Sequence, residues 1–546
     1  MAPLPQSASS IKSPTKGSSK SLISGFLRSL RTNPATPALE LGEQSLSYDQ
    51  LWNYAGRITA CLQQTLDPSE KVVAVLANRS IGAYGGILGI LGSGRGYVPL
   101  NPKFPLERTL VMLLASGCNT LVVGQECAST LESLLPRLKG DRSLTLIVPD
   151  AGWEPDRNLI SPHRLIRARD LSTVADPRDP IVSGSDTAYL LFTSGSTGVP
   201  KGVAVSQSNA VAYMDYAATR FAINSADRCS QNFDLTFDLS VHDLFTCWDA
   251  GATLVPYAEK TLTPATLIDE KQLTVWFSVP SVAMFASKLG LLEPGEFPTL
   301  RWSLFCGEAL SSTLAEAWQA TASNSILENL YGPTEATIAI TYYRWDPQKS
   351  PAECVRGLVP IGWPFDGQQV CAVDENLAPV PTGESGELCL GGSQVTSGYW
   401  NDPEKTAKSF VRLQHTGEQV WYRTGDLVRQ DERGCLFYLG RRDFQVKVNG
   451  YRVELQEIDL VLREAARTEL AVAIPWPLSD GSASGIVGVL SGADSAQDKQ
   501  IIAACETRLP RYMVPNRIYH FPQIPLNVNG KIDRGKITEM LANWEK

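Results

Sequence analysis

The stretch Leu191–Gly202, LFTSGSTGVPKG, decides how the rest of the chain is read. It continues from Ala188–Phe192 (AYLLF), an apolar run of strand length. Three glycines and four hydroxyl residues in twelve positions make a loop whose backbone N–H groups and hydroxyls can surround phosphate oxygens. Thr193, Ser194, Gly195, Ser196, Thr197 and Gly198 are the candidate phosphate contacts, and Lys201 adds a mobile positive charge. The loop is not the GxxxxGK[ST] type, because Pro200 precedes the lysine and no Ser or Thr follows it. The competing reading is a Ser/Gly-rich surface turn.

Outward from this loop, between about residues 45 and 345, short apolar runs alternate with helical stretches. Val72–Leu76 (VVAVL), Thr120–Val123 (TLVV), Ala252–Val255 (ATLV) and Val275–Val279 (VWFSV) read as buried strands. Tyr48–Thr65 and Ser312–Ala322 have helix-like spacing, and the alternation argues for α/β layers with largely parallel sheet. From about 357 to 437, short strands with frequent Gly and Pro, such as Gly386–Gly391 (GELCLG), predict a β-rich subdomain. The last hundred residues combine strands with helices around Leu455–Ala465 and Gln500–Leu509.

The 546 residues hold 43% apolar and 19% charged residues, ample for a folded core. With 49 basic against 57 acidic side chains the net charge is −8, which gives no general attraction to nucleic acid or to an anionic membrane. No stretch approaches 18 continuous apolar residues, so membrane insertion is not expected. Eleven cysteines without a CxxC, and only four histidines, argue against a disulfide framework or a structural zinc site. Reduced thiols fit a cytoplasmic protein. The Ser-, Pro-, Gly- and Lys-rich segment 1–22 predicts a disordered tail, with a transit peptide as the other reading of its acid-poor composition. Ser21–Leu30 reads as an amphipathic helix opening the folded part.

After the loop come, in order, FDLS at Phe237–Ser240, NLYGPTE at Asn329–Glu335, GELCLGG at Gly386–Gly392 and YRTGDL at Tyr422–Leu427. GRRDFQVKVNGYRVEL at Gly440–Leu455, LPRYMVP at Leu509–Pro515 and NGKIDR at Asn529–Arg534 complete the set. From about residue 25 to the C-terminus the chain resembles the adenylate-forming superfamily, and more closely the amino-acid adenylation domains of nonribosomal peptide synthesis. The resemblance implies an α/β fold: a large N-terminal domain of several subdomains with mixed sheets and a β-rich part (23–440), and a small mobile α+β lid (441–546). It implies ATP and Mg²⁺, an acyl-adenylate intermediate, and transfer of the acyl group to a thiol.

The same resemblance assigns roles. Lys531 bridges the carboxylate and the α-phosphate, where a compact ammonium suits two anions; in isolation it reads as a solvated lysine in an Asn-Gly turn. Asp426 accepts the ribose hydroxyls, Tyr331 offers a face to adenine, Thr334 contacts the α-phosphate, and Arg441 approaches the nucleotide. Glu335 is the oxygen ligand for Mg²⁺. Asp426 and Glu335 also admit the plainer reading of helix caps or surface acids. Asp443 stands at the hinge about which the lid rotates between the two half-reactions.

The resemblance implies an amino-acid substrate at Asp238: in amino-acid-activating members an aspartate here pairs with the substrate's α-ammonium, the partner a buried carboxylate needs. The alternative is a capping Asp ahead of Ser240. The remaining matches to the specificity pocket are Leu239, His242, Ser278, Leu304, Cys306, Leu330, Ile338 and Ala339. None supplies a second fixed charge, so a small uncharged amino acid is expected. The strings FDLS, FSVPS, LFCGEAL and YGPTEATIA resemble D-alanine-loading ligases, which favours alanine of either hand, with proline and serine close. His242 either hydrogen-bonds a hydroxyl or is a core histidine; Cys306 either lines the pocket or is an inert buried thiol. Fifteen residues follow Lys531 and hold no carrier sequence, so the expected acceptor is a separate acidic carrier protein bearing phosphopantetheine. The rival readings are an acyl- or aryl-CoA synthetase on the same fold, and an inactive nucleotide-binding sensor or scaffold.

Overall fold

The computed structural model describes residues 20–138, 143–153, 155, 160–195, 200–257, 263, 265–443, 445–468, 470–479, 482–491, 497–526 and 532–544. Lys531, Ser196, Thr197 and Gly198 lie outside the described residues. Two large sheets carry the N-terminal part. In the seven-stranded sheet, Val72–Leu76 pairs in parallel with Gly96–Leu100 and Thr120–Val123. VVAVL is buried at all five positions, as a strand covered on both faces must be. One edge of this sheet is the antiparallel hairpin of Thr187–Thr193 and Lys201–Ser206, whose register sets Thr193 opposite Lys201. The stretch quoted above therefore begins and ends in paired strands.

The nine-stranded sheet has a parallel centre: Thr253–Pro256, Arg228–Gln231, Val275–Ser278, Trp302–Phe305 and Ile326–Tyr331 lie side by side. Thr341–Arg344 joins antiparallel to Ile326–Tyr331. Helix Tyr48–Thr65 starts where predicted, because Ser47 and Gln50 close a reciprocal capping box. Gln368–Val373, Ser385–Gly392, Phe410–Arg412, Val420–Gln430 and Leu436–Arg441 form the β-rich sheet expected between 357 and 437, its last strand running to Arg441.

From Gln445 onward two small sheets are built, one on the hairpin of Gln445–Val448 and Tyr451–Glu454, the other on Ala471–Pro475, Ile486–Ser491 and Arg517–Phe521. Two apolar clusters here draw only on residues from Val446 on. Such self-contained cores are what a separate α+β unit requires. At the other end, the opening helix spans Ser24–Thr32. Ser21 and Leu22, placed in the tail by composition, are buried, and the Leu22 N–H donates to Gln207 Oε1 at 2.9 Å. None of the eleven cysteines is in a disulfide. Among the described residues no helix is long and apolar enough to cross a membrane.

Candidate active site

A cavity of about 360 Å³ opens at the carboxyl ends of the parallel strands, where ligands bind in open α/β sheets. Tyr331 is the last residue of its strand, Ser278 of another, and Asp238 follows Arg228–Gln231 by a short loop. Residues from both the large part and the segment after Gln445 border the cavity.

On one side the register of Val420–Gln430 with Leu436–Arg441 sets Asp426 opposite Arg441. Arg441 Nη1 donates to Asp426 Oδ1 at 2.6 Å, and its Nε and Nη2 reach the two oxygens of Asp443 at 2.7 and 2.8 Å. The Tyr331 hydroxyl donates to the other Asp426 oxygen. Gly425 has φ +75°, and a Cβ there would stand 2.7 Å from Arg441 Nη2, so this turn requires glycine. The arrangement leaves Asp426 a shared, partly neutralised acceptor beside an aromatic ring. Thr193, Ser194 and Thr334 border the cavity as well. The Thr193 hydroxyl is buried without a hydrogen-bond partner among the described residues, as a group awaiting a ligand oxygen would be.

On the other side Asp238 opens helix Leu239–Asp249 but makes no capping bond. Instead its Oδ2 accepts the Ile338 N–H at 3.1 Å. Thr337 and Ile338 both have positive φ, 57° and 74°, a strained conformation for β-branched residues. Gln394 holds them there: its Nε2 donates to the Ala336, Thr337 and Ala339 carbonyls at 3.3, 3.2 and 2.7 Å. Burial pushes the Asp238 carboxyl up to about 6, against the pull of the Ile338 amide and the Thr334 hydroxyl.

Glu335 and Lys201 depart from expectation. Glu335 is fully buried and does not border the cavity. Its Oε1 accepts from the Tyr399 hydroxyl at 2.8 Å and pairs with Lys201 Nζ at 3.2 Å; its Oε2 pairs with Arg452 Nη1 at 2.8 Å. Burial opposes its ionisation, but Arg452 and Lys201 outweigh that and hold the carboxyl well below the usual range. Lys201 is thus fixed rather than mobile, clasped by Glu335 and the Tyr399 ring. A dication beside Lys201 and Arg452 is repelled from Glu335. In this arrangement Glu335, committed to two cations, does not fit Mg²⁺.

Sequence reasoning missed four contributors. Arg452 and Lys447 sit on the hairpin after the hinge and border the cavity. Burial lowers the Lys447 ammonium, and Arg452 lowers it further, while Cys306, Asp426 and Asp238 pull the other way. Ser194 Oγ donates to the Arg452 carbonyl at 2.7 Å, and the Gly450 N–H donates to Glu308. Arg108 and Glu457, both buried, pair at 2.6 Å across the same seam. A charge alternating with apolar residues in QVKV and YRVE was the available signal for Lys447 and Arg452. Tyr399 and Gln394 gave none.

Of the pocket residues named from sequence, Asp238, Leu239 and Leu330 border the cavity; His242, Ser278, Leu304, Cys306, Ile338 and Ala339 do not. Burial pushes the Cys306 thiol up to about 12, which makes it inert.

A family model described as AMP-binding enzyme matches residues 26–400. The D-alanine--D-alanyl carrier protein ligase of Lacticaseibacillus casei (strain BL23) is 30% identical over 527 residues, covering 94% of this chain and 97% of that protein. Tyrocidine synthase 2 of Brevibacillus parabrevis is 29% identical over 505 residues, 92% of this chain but only 13% of that much longer protein. Among solved structures, the Vibrio cholerae adenylation domain AlmE, in complex with glycyl-adenosine-5'-phosphate, is 34% identical with a TM-score of 0.87, covering 98% of this chain and all of that one.

Proposed function

The chain belongs to the AMP-binding enzyme family, and from that premise we propose that it activates a small, uncharged amino acid with ATP and passes it to the phosphopantetheine thiol of a separate carrier protein. One observation carries the amino-acid reading: Asp238 is a buried carboxyl that borders the cavity and meets only neutral donors, the Ile338 N–H and the Thr334 hydroxyl, with no ion pair among the described residues. A carboxylate so buried is stabilised by a cationic partner, and an α-amino group supplies one. The names of two relatives, a D-alanine ligase and a domain holding a glycyl-adenylate, point to the same size class.

In the first step a carboxylate oxygen of the amino acid attacks the α-phosphorus, the bond to the β-phosphate oxygen breaks, and pyrophosphate leaves. Charge neutralisation and alignment do most of this work. Asp426 and Tyr331 hold the nucleoside end, Arg441 lies across its edge, and Thr193, Ser194 and Thr334 face the phosphate. In the second step the thiol sulfur attacks the acyl carbon, the bond to the adenylate oxygen breaks, AMP leaves, and the thiol proton passes to solvent. The position of the hairpin at Gln445–Glu454 suits this second step. The Ser194 hydroxyl already donates to the Arg452 carbonyl and the Arg452 guanidinium to Glu335, so two donors that a triphosphate could use are engaged at the lid. We take 23–440 as the core and 441–546 as the lid, with Asp443 as hinge and Lys531 as the lysine that the lid returns for adenylation.

Amino-acid-dependent exchange of pyrophosphate into ATP tests the reading. Exchange with a small amino acid, lost in Asp238→Ala, is the expected result. Activation of carboxylic acids lacking an amino group, indifferent to Asp238→Ala, would replace it with a CoA-synthetase reading. ATP binding without exchange would leave a sensor.

A further inference from the structure

We propose that the amino acid is glycine, and that His242, held by Tyr213, closes the space a side chain would need. The inference rests on the reading of Asp238 as the ammonium partner. Asp238 fixes where the amino group sits, and Leu239 and Leu330 flank it at the cavity edge. His242 lies one helical turn beyond Asp238, on the same face of helix Leu239–Asp249. It is buried on that face and does not border the cavity.

That continuation is filled. His242 is 1% exposed, and its Nδ1 lies 2.8 Å from the Tyr213 hydroxyl. Phe277 meets its ring edge-on at 4.6 Å and Phe221 at 5.5 Å. Ser278, Leu304, Cys306, Ile338 and Ala339 are each 0% exposed. The Ser278 hydroxyl is already engaged, accepting from Trp276 Nε1 and donating to the Val279 carbonyl, both at 3.0 Å. Backbone closes the remaining wall: a Cβ at Gly332 would stand 2.5 Å from the Ala339 Cα. Protein interiors hold few voids larger than a water, and an inserted methyl must displace neighbours. His242, Ser278, Leu304, Cys306, Ile338 and Ala339 are packed against one another and none of them borders the cavity.

The other His242 nitrogen, Nε2, is buried without a partner. A hydroxylated side chain reaching it would be the one natural way to satisfy it. The cavity does not extend to His242, so serine is excluded on the same grounds as alanine.

The test compares kcat/KM for glycine, D-alanine, L-alanine, L-serine and L-proline in pyrophosphate exchange. Kd values for the non-hydrolysable sulfamoyl adenosines of glycine and alanine are measured alongside by calorimetry. Glycine is expected to lead each competitor by about 10–200-fold, the discrimination available to one methylene-sized group. The analogue pair should show the same order without turnover. His242→Ala should narrow the glycine-to-alanine ratio at least tenfold; Cys306→Ala, a milder change in the same wall, should narrow it in the same direction and guards against a variant that fails to fold. Alanine or proline equal to or ahead of glycine would overturn the closed pocket while leaving the amino-acid reading intact. Serine ahead of alanine would assign Nε2 to a substrate hydroxyl and also overturn it. No exchange with any amino acid, and no binding of either analogue, would remove the reading beneath it.

Discussion

The wall behind Asp238 and the seam along the Gln445–Glu454 hairpin border one cavity but are made of different material. The wall is rings and aliphatic groups belonging to the largest apolar cluster of the molecule, with Leu304, Cys306, Ile338 and Ala339 all in it. The seam is charge on charge and hydroxyl on carbonyl: Arg452 with Glu335, Arg108 with Glu457, Ser194 with the Arg452 carbonyl, Gly450 with Glu308. Close packing resists change at the scale of a methylene, which suits a surface that selects a substrate. A buried ion pair is held at a large desolvation penalty, and its net stabilisation is small. Such a seam can open at little net cost, which suits a surface that must part between two half-reactions. Selection and switching are thus assigned to regions whose chemistry fits each.

The strongest challenge to this contrast is Asp238→Ala. If the wall positions the ammonium, loss of its one charge should lower amino-acid-dependent exchange by about 10²–10³-fold, the roughly 3–5 kcal/mol of a broken buried pair. Nucleotide binding should be unaffected. A fall of less than tenfold would show that Asp238 is merely a core carboxyl.

Lys531→Ala addresses the moving side. Removing charge neutralisation present only while the lid presents that lysine should slow adenylation by about 10²–10³-fold. Transfer from a supplied aminoacyl-adenylate should persist, since the seam seen here joins Arg452 to Ser194 and Glu335. Equal damage to both half-reactions would mean that the seam does not part.

A third measurement separates what Asp238 contributes to function from its effect on stability. Its carboxyl is raised to about 6 by burial, so the folded protein binds its proton more tightly than the unfolded chain does. That contribution is fully present below the unfolded value near 4 and is lost as pH rises through about 6. Asp238→Asn keeps an acceptor for the Ile338 amide without titrating. It should therefore gain about 3 kcal/mol over the wild type between pH 4 and 7.5, two units at 1.36 kcal/mol each. Urea midpoints at the two pH values read this directly. In the wild type, kcat/KM for the amino acid should fall below about pH 6 as the carboxylate that meets the ammonium is protonated. An unchanged difference across pH would mean that Asp238 is already paired in the free protein.

Much of this architecture was legible because it is local. VVAVL and TLVV are bounded apolar runs, and the strands occupy Val72–Leu76 and Thr120–Val123 as read. Ser47 and Gln50 announce the start of Tyr48–Thr65 three residues apart. The tail boundary slipped because composition is averaged over a window, whereas Leu22 is buried one residue at a time. The cavity draws together Asp238, Tyr331, Thr334, Asp426 and Arg441, which were named from ordered strings. Gln394 was invisible, since its partners are backbone carbonyls some 55–58 residues away on a strained turn. Glu335 was named as a metal ligand, but its two cations come from Lys201 and Arg452, distant in sequence and joined only by the fold. The closure of the pocket was equally illegible. His242 alone admits either a hydroxyl partner or a core place, and only Tyr213 and Phe221 on one helix and Phe277 on a strand decide between them.

The smallest expected effects come from one chemical change made twice, the removal of a tyrosine hydroxyl. Tyr213→Phe takes away the only hydrogen-bond partner of the His242 ring among the described residues, leaving both ring nitrogens unpaired in an apolar cage. Burial drives that imidazole down to about 3, so it cannot regain solvation by charging at neutral pH. An unsatisfied buried polar group costs about 1–3 kcal/mol, and the wall has no room for a rescuing water. Tyr399→Phe takes a donor from Glu335 Oε1 and an acceptor from Lys201, yet Glu335 retains both cations and the ring stays 4.9 Å from the Lys201 ammonium. The loss there should stay near 1 kcal/mol, the net worth of an ordinary hydrogen bond. Urea unfolding at pH 7.5 should therefore show Tyr213→Phe as the more destabilised of the two. Substrate ratios should respond in the same order, with glycine-to-alanine discrimination moving in Tyr213→Phe and holding in Tyr399→Phe. Equal losses, or a larger one at Tyr399, would mean that the seam is as tightly specified as the wall, and the division between a selecting surface and a switching one would fail.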